Sequence, residues 1–122
     1  MNWQIRLIGG QDNRSGRVEV YYNGQWGTVC GDHWDLKDAT VVCRELGFKH
    51  ALNSSGKAQF GAGNGTIWMN NVECSGKEDS LRLCPFIGWG SHNCSHDKDA
   101  SVKCGKSLNV KIRAQNLLLQ SR

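Results

Sequence analysis

Six cysteines, at positions 30, 43, 74, 84, 94 and 104, constrain what this chain can fold into more than any other feature. Their number is even, and the last four fall about ten residues apart. A zinc knuckle or a thioredoxin-like redox site would be seeded by a Cys-x-x-Cys pair, and the chain has none. Three disulfides formed in an oxidising compartment fit instead. A chain of 122 residues buries only a modest core, and bridges compensate by restricting its unfolded ensemble. Cysteine positions alone leave every pairing open. The length suits one domain rather than two. The 15 glycines have no three-residue period, which excludes collagen, and five Trp, two Tyr and three Phe exclude global disorder.

The formal net charge of +4 raises the question of nucleic acid, and its location answers it. Residues 1–104 carry 11 basic and 11 acidic side chains, which cancel; Lys106, Lys111, Arg113 and Arg122 supply the excess. Residues 1–104 are therefore expected to form a neutral domain and residues 105–122 a basic tail or linker. No helix-turn-helix, zinc-finger or RNA-binding signature is present, so no specific nucleic-acid partner is expected. No apolar run approaches the roughly 20 residues of a membrane span. The opening lacks the apolar core of a signal peptide, and Met1 reads as the start of an excised fragment. Asn-x-Ser/Thr acceptors at Asn13, Asn53 and Asn64 support a secretory setting, with Asn53 in the most loop-like surroundings. A fourth, at Asn93, adjoins Cys94 and would crowd a glycan.

Residues 17–22 alternate in polarity, Asn23-Gly24 follows, and residues 25–29 complete a β-hairpin, because Asn-Gly tolerates the positive φ of a type I′ turn. An extended piece at 4–8 precedes it. Asp35 reads as a helix N-cap; Leu36, Ala39, Val42, Cys43 and Leu46 then form an apolar face, and Gly47 stops the helix. Residues 51–65 read as a long Gly-, Ser- and Asn-rich loop, 66–72 as a strand, 78–83 as a short helical turn, 88–100 as loop and 101–104 as a closing strand.

No catalytic set emerges. Gly-x-Ser-x-Gly, His-Glu-x-x-His and a Walker loop are all absent. His33, His50, His92 and His96 read as structural or surface residues. Once the six cysteines pair, no thiol is left to act as a nucleophile.

Taken together, the segments resemble the scavenger receptor cysteine-rich (SRCR) family. Carrying the likeness are Ile5-Arg6-Leu7-Ile8-Gly9-Gly10, Gly16-Arg17-Val18-Glu19-Val20, Gly24-Gln25-Trp26-Gly27-Thr28-Val29-Cys30 and Trp34-Asp35. Ala39-Thr40-Val41-Val42-Cys43-Arg44-Glu45-Leu46-Gly47-Phe48, Phe60-Gly61, Gly65-Thr66-Ile67-Trp68, Val72-Glu73-Cys74, Ser80-Leu81, Cys84, Trp89-Gly90 and His92-Asn93-Cys94 continue it to about residue 104. Six cysteines make the chain similar to group A of that family. The resemblance implies an α+β fold in which a small curved antiparallel sheet cradles one helix, with bridges Cys30–Cys94, Cys43–Cys104 and Cys74–Cys84.

It also implies a noncatalytic, extracellular ligand-binding module of a scavenger-type receptor or secreted glycoprotein. Its partners would be proteins or polyanions of microbial, modified-lipoprotein or glycan origin. The alternatives are an accessory domain of a serine protease or lysyl-oxidase-like enzyme, and a protein–protein adhesion module. Many family members resemble calcium-assisted binders, with two acids after the first cysteine and another after the fifth. Those positions here are Gly31, Asp32 and Lys98, so two carboxylates are missing, which speaks against calcium and for a chain that needs no cofactor. Asp32, Asp35, Asp97 and Asp99 are the residual metal candidates. Arg14, Arg17 and Lys98, with Asp32, are the expected ligand contacts.

Overall fold

A computed structural model describes residues 2–106; the expected tail lies outside the described residues from position 107 onward. In chain order the elements are β1 (Gln4–Gly9), β2 (Ser15–Tyr22), β3 (Gln25–Val29), α1 (Leu36–Glu45), β4 (Ala51–Ser55), β5 (Ile67–Met69) and β6 (Ser101–Cys104). Single 3₁₀ turns occupy Leu81–Leu83 and His96–Lys98.

All the strands share one sheet, ordered β4-β6-β2-β3-β5, with β1 also on β2. The long strand β2 organises it. One edge pairs throughout with β1, from Gln4 opposite Tyr21 to Gly9 opposite Gly16. The other is divided: Glu19–Tyr22 pair with β3, and Ser15–Arg17 pair with β6. This division curls the sheet around its core. Pairing is antiparallel except between β3 and β5, which run parallel, so the sheet is mixed where the resemblance implied an antiparallel one. Parallel neighbours need a long crossover, and the excursion through α1 and β4 supplies it.

The β2–β3 hairpin turns at Asn23 and Gly24, both with positive φ (52° and 80°) as a type I′ turn requires. Helix α1 opens on a reciprocal capping box. The Asp35 carboxylate accepts from the Asp38 N–H at 3.1 Å, and that of Asp38 accepts from the Asp35 N–H at 2.9 Å. Gly47, at φ 89°, then lets the Phe48 N–H reach back to the Cys43 carbonyl. The buried arc of the helix differs from the expected one. Val41 and Asp38 are buried, whereas Leu36, at the first helical position, overhangs the packing and is 49% exposed.

Val18, Val20 and Val29 from the sheet meet Ala39, Val41 and Val42 from the helix, with Met69, Val72, Leu81, Ala100 and Val102 completing the core. The disulfides are Cys30–Cys94, Cys43–Cys104 and Cys74–Cys84. The first ties the end of β3 to the segment before the second 3₁₀ turn; the second ties α1 to β6; the third closes the loop carrying Leu81–Leu83. Residues 51–55, expected as loop, form edge strand β4 against β6. A strand hydrogen-bonded on one side needs no apolar alternation, and its register shifts between Ala51 and Asn53.

Candidate functional site

Beyond Val29 the chain leaves β3 and runs beside residues 97–99. Cys30 bridges to Asp99 through the backbone, and the Gly31 N–H donates to the Lys98 carbonyl at 2.6 Å. Asp32 and Lys98 are thereby brought together, with Lys98 Nζ 3.6 Å from Asp32 Oδ1 and both side chains about half exposed (51% and 44%). At position 31 a Cβ would lie 2.3 Å from Gly56 Cα and 2.6 Å from the Lys98 carbonyl oxygen. That backbone contact leaves no room for a carboxylate.

The other acidic candidates are drawn apart. Asp35 caps α1, where it is committed to the Asp38 N–H. Asp97 accepts from the Ser95 hydroxyl. Asp99 is fully buried, its Oδ2 accepting from the Gly63 N–H at 2.7 Å and lying 2.9 Å from His96 Nδ1. Among the described residues, two His/Cys/Asp/Glu groups are compact enough to share an ion: Cys30–Asp32–Cys94 and Cys74–Glu78–Cys84. In both, the sulfurs are joined in a disulfide and offer no thiolate. Glu78 serves the backbone: N–H groups of Ser75 and Gly76 hold its carboxyl down at about 2.

His96 brings together the grouping closest to a catalytic triad, and its geometry is wrong for one. Asp99 and the Thr28 hydroxyl (3.5 Å) both face Nδ1, while Nε2 faces the Gly65 carbonyl at 3.0 Å. A triad needs its two partners on different ring nitrogens. Thr28 is also only 1% exposed.

The three expected cationic contacts have different fates. Arg14 remains accessible, 3.7 Å from Asp12. Lys98 is exposed but paired with Asp32. Arg17 is a clamp, not an open contact: its side chain is 12% exposed, its Nε donates to Glu19 at 2.9 Å, and its Nη1 donates to the Gly61 carbonyl at 3.0 Å. Sequence reasoning missed Arg6, which is 42% exposed, pairs with Glu19 at 2.7 Å and stands 3.8 Å over the Trp26 ring. Only strand register brings those residues together. Asn13, Asn53, Asn64 and Asn93 are all exposed, with Asn53 on strand β4 rather than in a loop.

A curled mixed sheet around one helix, stapled by three bridges and with Asp32 paired to Lys98, defines a compact disulfide-bonded module. Residues 8–105 match the family model of the scavenger receptor cysteine-rich domain, and the chain belongs to that family. It is 56% identical over 100 residues to bovine (Bos taurus) galectin-3-binding protein, covering 82% of this chain and 18% of that protein. It is 50% identical over 100 residues to the bovine macrophage scavenger receptor types I and II, covering 82% and 22% respectively. The chain thus spans about a fifth of the length of these relatives. Among solved structures, the third SRCR domain of murine neurotrypsin is 48% identical with a TM-score of 0.78, covering 84% of this chain and 96% of that one. The dimeric form of the SRCR domain of mouse MARCO is also 48% identical, at a TM-score of 0.70, with 82% and 93% covered.

Proposed function

We propose that the chain is a noncatalytic, extracellular binding module of a larger secreted or receptor protein, and that it captures protein or polyanionic ligands directly, without calcium. The observation that carries this reading is the Asp32–Lys98 pair beside a sterically closed Gly31. Where the resemblance would put a third acid the chain has Lys98, whose ammonium lies 3.6 Å from the Asp32 carboxylate. Calcium requires about six to eight oxygen ligands, and one lysine-paired carboxylate is far from that. Family membership and the relatives among scavenger receptors support the binding role. Arg14, Arg6 and Lys98, whose side chains are partly exposed, are the cations that would meet sulfate or phosphate groups.

Retention on immobilised dextran sulfate tests the reading. Retention should be unchanged by EGTA and should weaken steeply as salt rises, because screening removes attraction between exposed charges. Loss on chelation would overturn the calcium-free mode. Retention that survives high salt would favour the adhesion-module alternative. An accessory role beside a catalytic domain is a second reading, favoured by the likeness to a neurotrypsin domain. The domain order of the parent protein separates the two.

A further inference from the structure

At the hairpin end of β2 and β3, the opposite end from Arg14 and Lys98, lies a pocket of about 650 Å³ lined by Asn2, Trp3, Tyr21, Tyr22, Arg82 and Trp89. This volume falls within the roughly 300–1,000 Å³ typical of small-molecule sites.

Its walls are aromatic and held in place. The Tyr22 and Trp89 rings stack nearly parallel with centroids 3.8 Å apart. Trp3 meets Trp89 edge-on at 6.0 Å, and Phe86 and Trp68 close on Trp89 at 4.7 Å and 6.4 Å. Trp3 is further fixed to the helix, its indole N–H donating to Glu45 at 2.6 Å. Each of the aromatic lining residues is only half-buried, so ring surface is left open to a ligand.

The one charged group in the lining is a cation. Arg82 is exposed and, among the described residues, forms no ion pair. No carboxylate lines the pocket. The nearby Glu45 already accepts from Trp3, the Ser80 hydroxyl and the Leu81 N–H. The Asn2 amide and two phenols complete the polar lining.

We infer that this pocket binds a carboxylated sugar residue. The apolar face of a pyranose ring suits the open ring surface of Trp3, Tyr22 and Trp89. A carboxylate suits the planar fork of the Arg82 guanidinium, which binds such groups in bidentate fashion. Asn2, Tyr21 and Tyr22 provide donors and acceptors for ring hydroxyls. A neutral sugar would leave Arg82 unmatched, and a bare phosphate would leave the aromatic walls unmatched. The inference rests on the chain being a binding module. It adds a site where one anionic sugar, rather than a polyanion, is recognised.

Titration of the ¹⁵N-labelled chain with methyl β-D-glucuronide and with methyl β-D-glucoside tests it, because the two probes differ only in the carboxylate. The glucuronide should shift the Trp3 and Trp89 indole cross-peaks saturably, with the glucoside roughly tenfold weaker, as loss of a charge-assisted pair implies. Arg82→Gln, at an exposed site, should reduce the glucuronide to the level of the glucoside. Three results would each overturn the site: no shift up to ~10 mM glucuronide, a range in which a millimolar complex is visible; shifts centred on Trp26 instead; or glucuronide binding that Arg82→Gln leaves unchanged. Dextran sulfate retention of the same preparation keeps the two readings distinct. Retention without glucuronide binding sinks the pocket alone.

Discussion

At Gly31 the backbones of two segments lie so close that Gly56 cannot carry a side chain either, since its Cβ would fall 2.5 Å from the Gly31 carbonyl oxygen. Restoring an acid at position 31 therefore cannot simply rebuild a cation site. Gly31→Asp should bind no calcium by calorimetry and should lower the urea midpoint by an amount equivalent to roughly 1–3 kcal/mol, the usual cost of overpacking. A dissociation constant tighter than about 1 mM in that variant would overturn the steric account. The missing carboxylates are legible in sequence as Gly31 and Lys98. The reason is not, because Gly56 lies in a distant stretch that reads as loop. Arg17 illustrates the same limit. Its charge suggests ligand contact, but its burial and its bonds to Glu19 and Gly61 depend on which strand lies beside which. Titrating groups are equally opaque in sequence. Burial pushes the Asp38 carboxyl up to about 7, against backbone N–H groups of Cys74 and Asp35 that favour its charged form.

Among the elements, the hairpin and helix α1 were legible because each is specified locally, by Asn23-Gly24 and by the Asp35 cap. Strand β4 was not. Its Ser- and Asn-rich sequence has no alternation, and only the partner β6 makes it a strand. The loop around residues 61–65 is likewise held by tertiary contacts: Arg17 grips Gly61, Asp99 grips Gly63, and His96 meets Gly65. Since both His96 ring nitrogens face oxygen acceptors, the full clasp requires the protonated ring. Partial burial pulls its pKa down, but the Gly65 carbonyl and the Asp99 carboxylate outweigh burial and the opposing Arg17, so the value is raised from 6.5. A raised histidine stabilises the fold fully below pH 6.5 and loses that contribution as pH climbs through the folded-state value. Asp38, raised to about 7, also loses stability as pH climbs towards that value. The informative quantity is thus the difference between wild type and His96→Gln. Thermal melts should show wild type losing more stability than the variant between pH 6 and about 8. Parallel pH curves for the two would show that His96 stays neutral in the folded state.

The whole molecule depends on its three bridges acting unequally. Cys30–Cys94 and Cys43–Cys104 join residues 64 and 61 apart in sequence, whereas Cys74–Cys84 spans only 10. The chain-entropy model assigns about 4 kcal/mol to each long loop and about 3 to the short one. Position widens the gap. All four cysteines are buried, but Cys43 and Cys104 hold α1 against β6 across the core, while Cys74 and Cys84 close a single loop. The number of bridges was legible in sequence, and the resemblance supplied their pairing, but which elements each bridge joins emerges only from the packed fold. Cys43→Ala with Cys104→Ala should therefore lower the urea midpoint more than Cys74→Ala with Cys84→Ala, at similar denaturant slope. The untreated chain should weigh about 6 Da less than its reduced form, since each bridge removes two hydrogens. Equal losses from the two double variants, or a larger loss from the short bridge, would mean that loop closure and core anchoring do not set the stability of this fold. Native-state strain or residual structure in the unfolded chain would then be the controlling term.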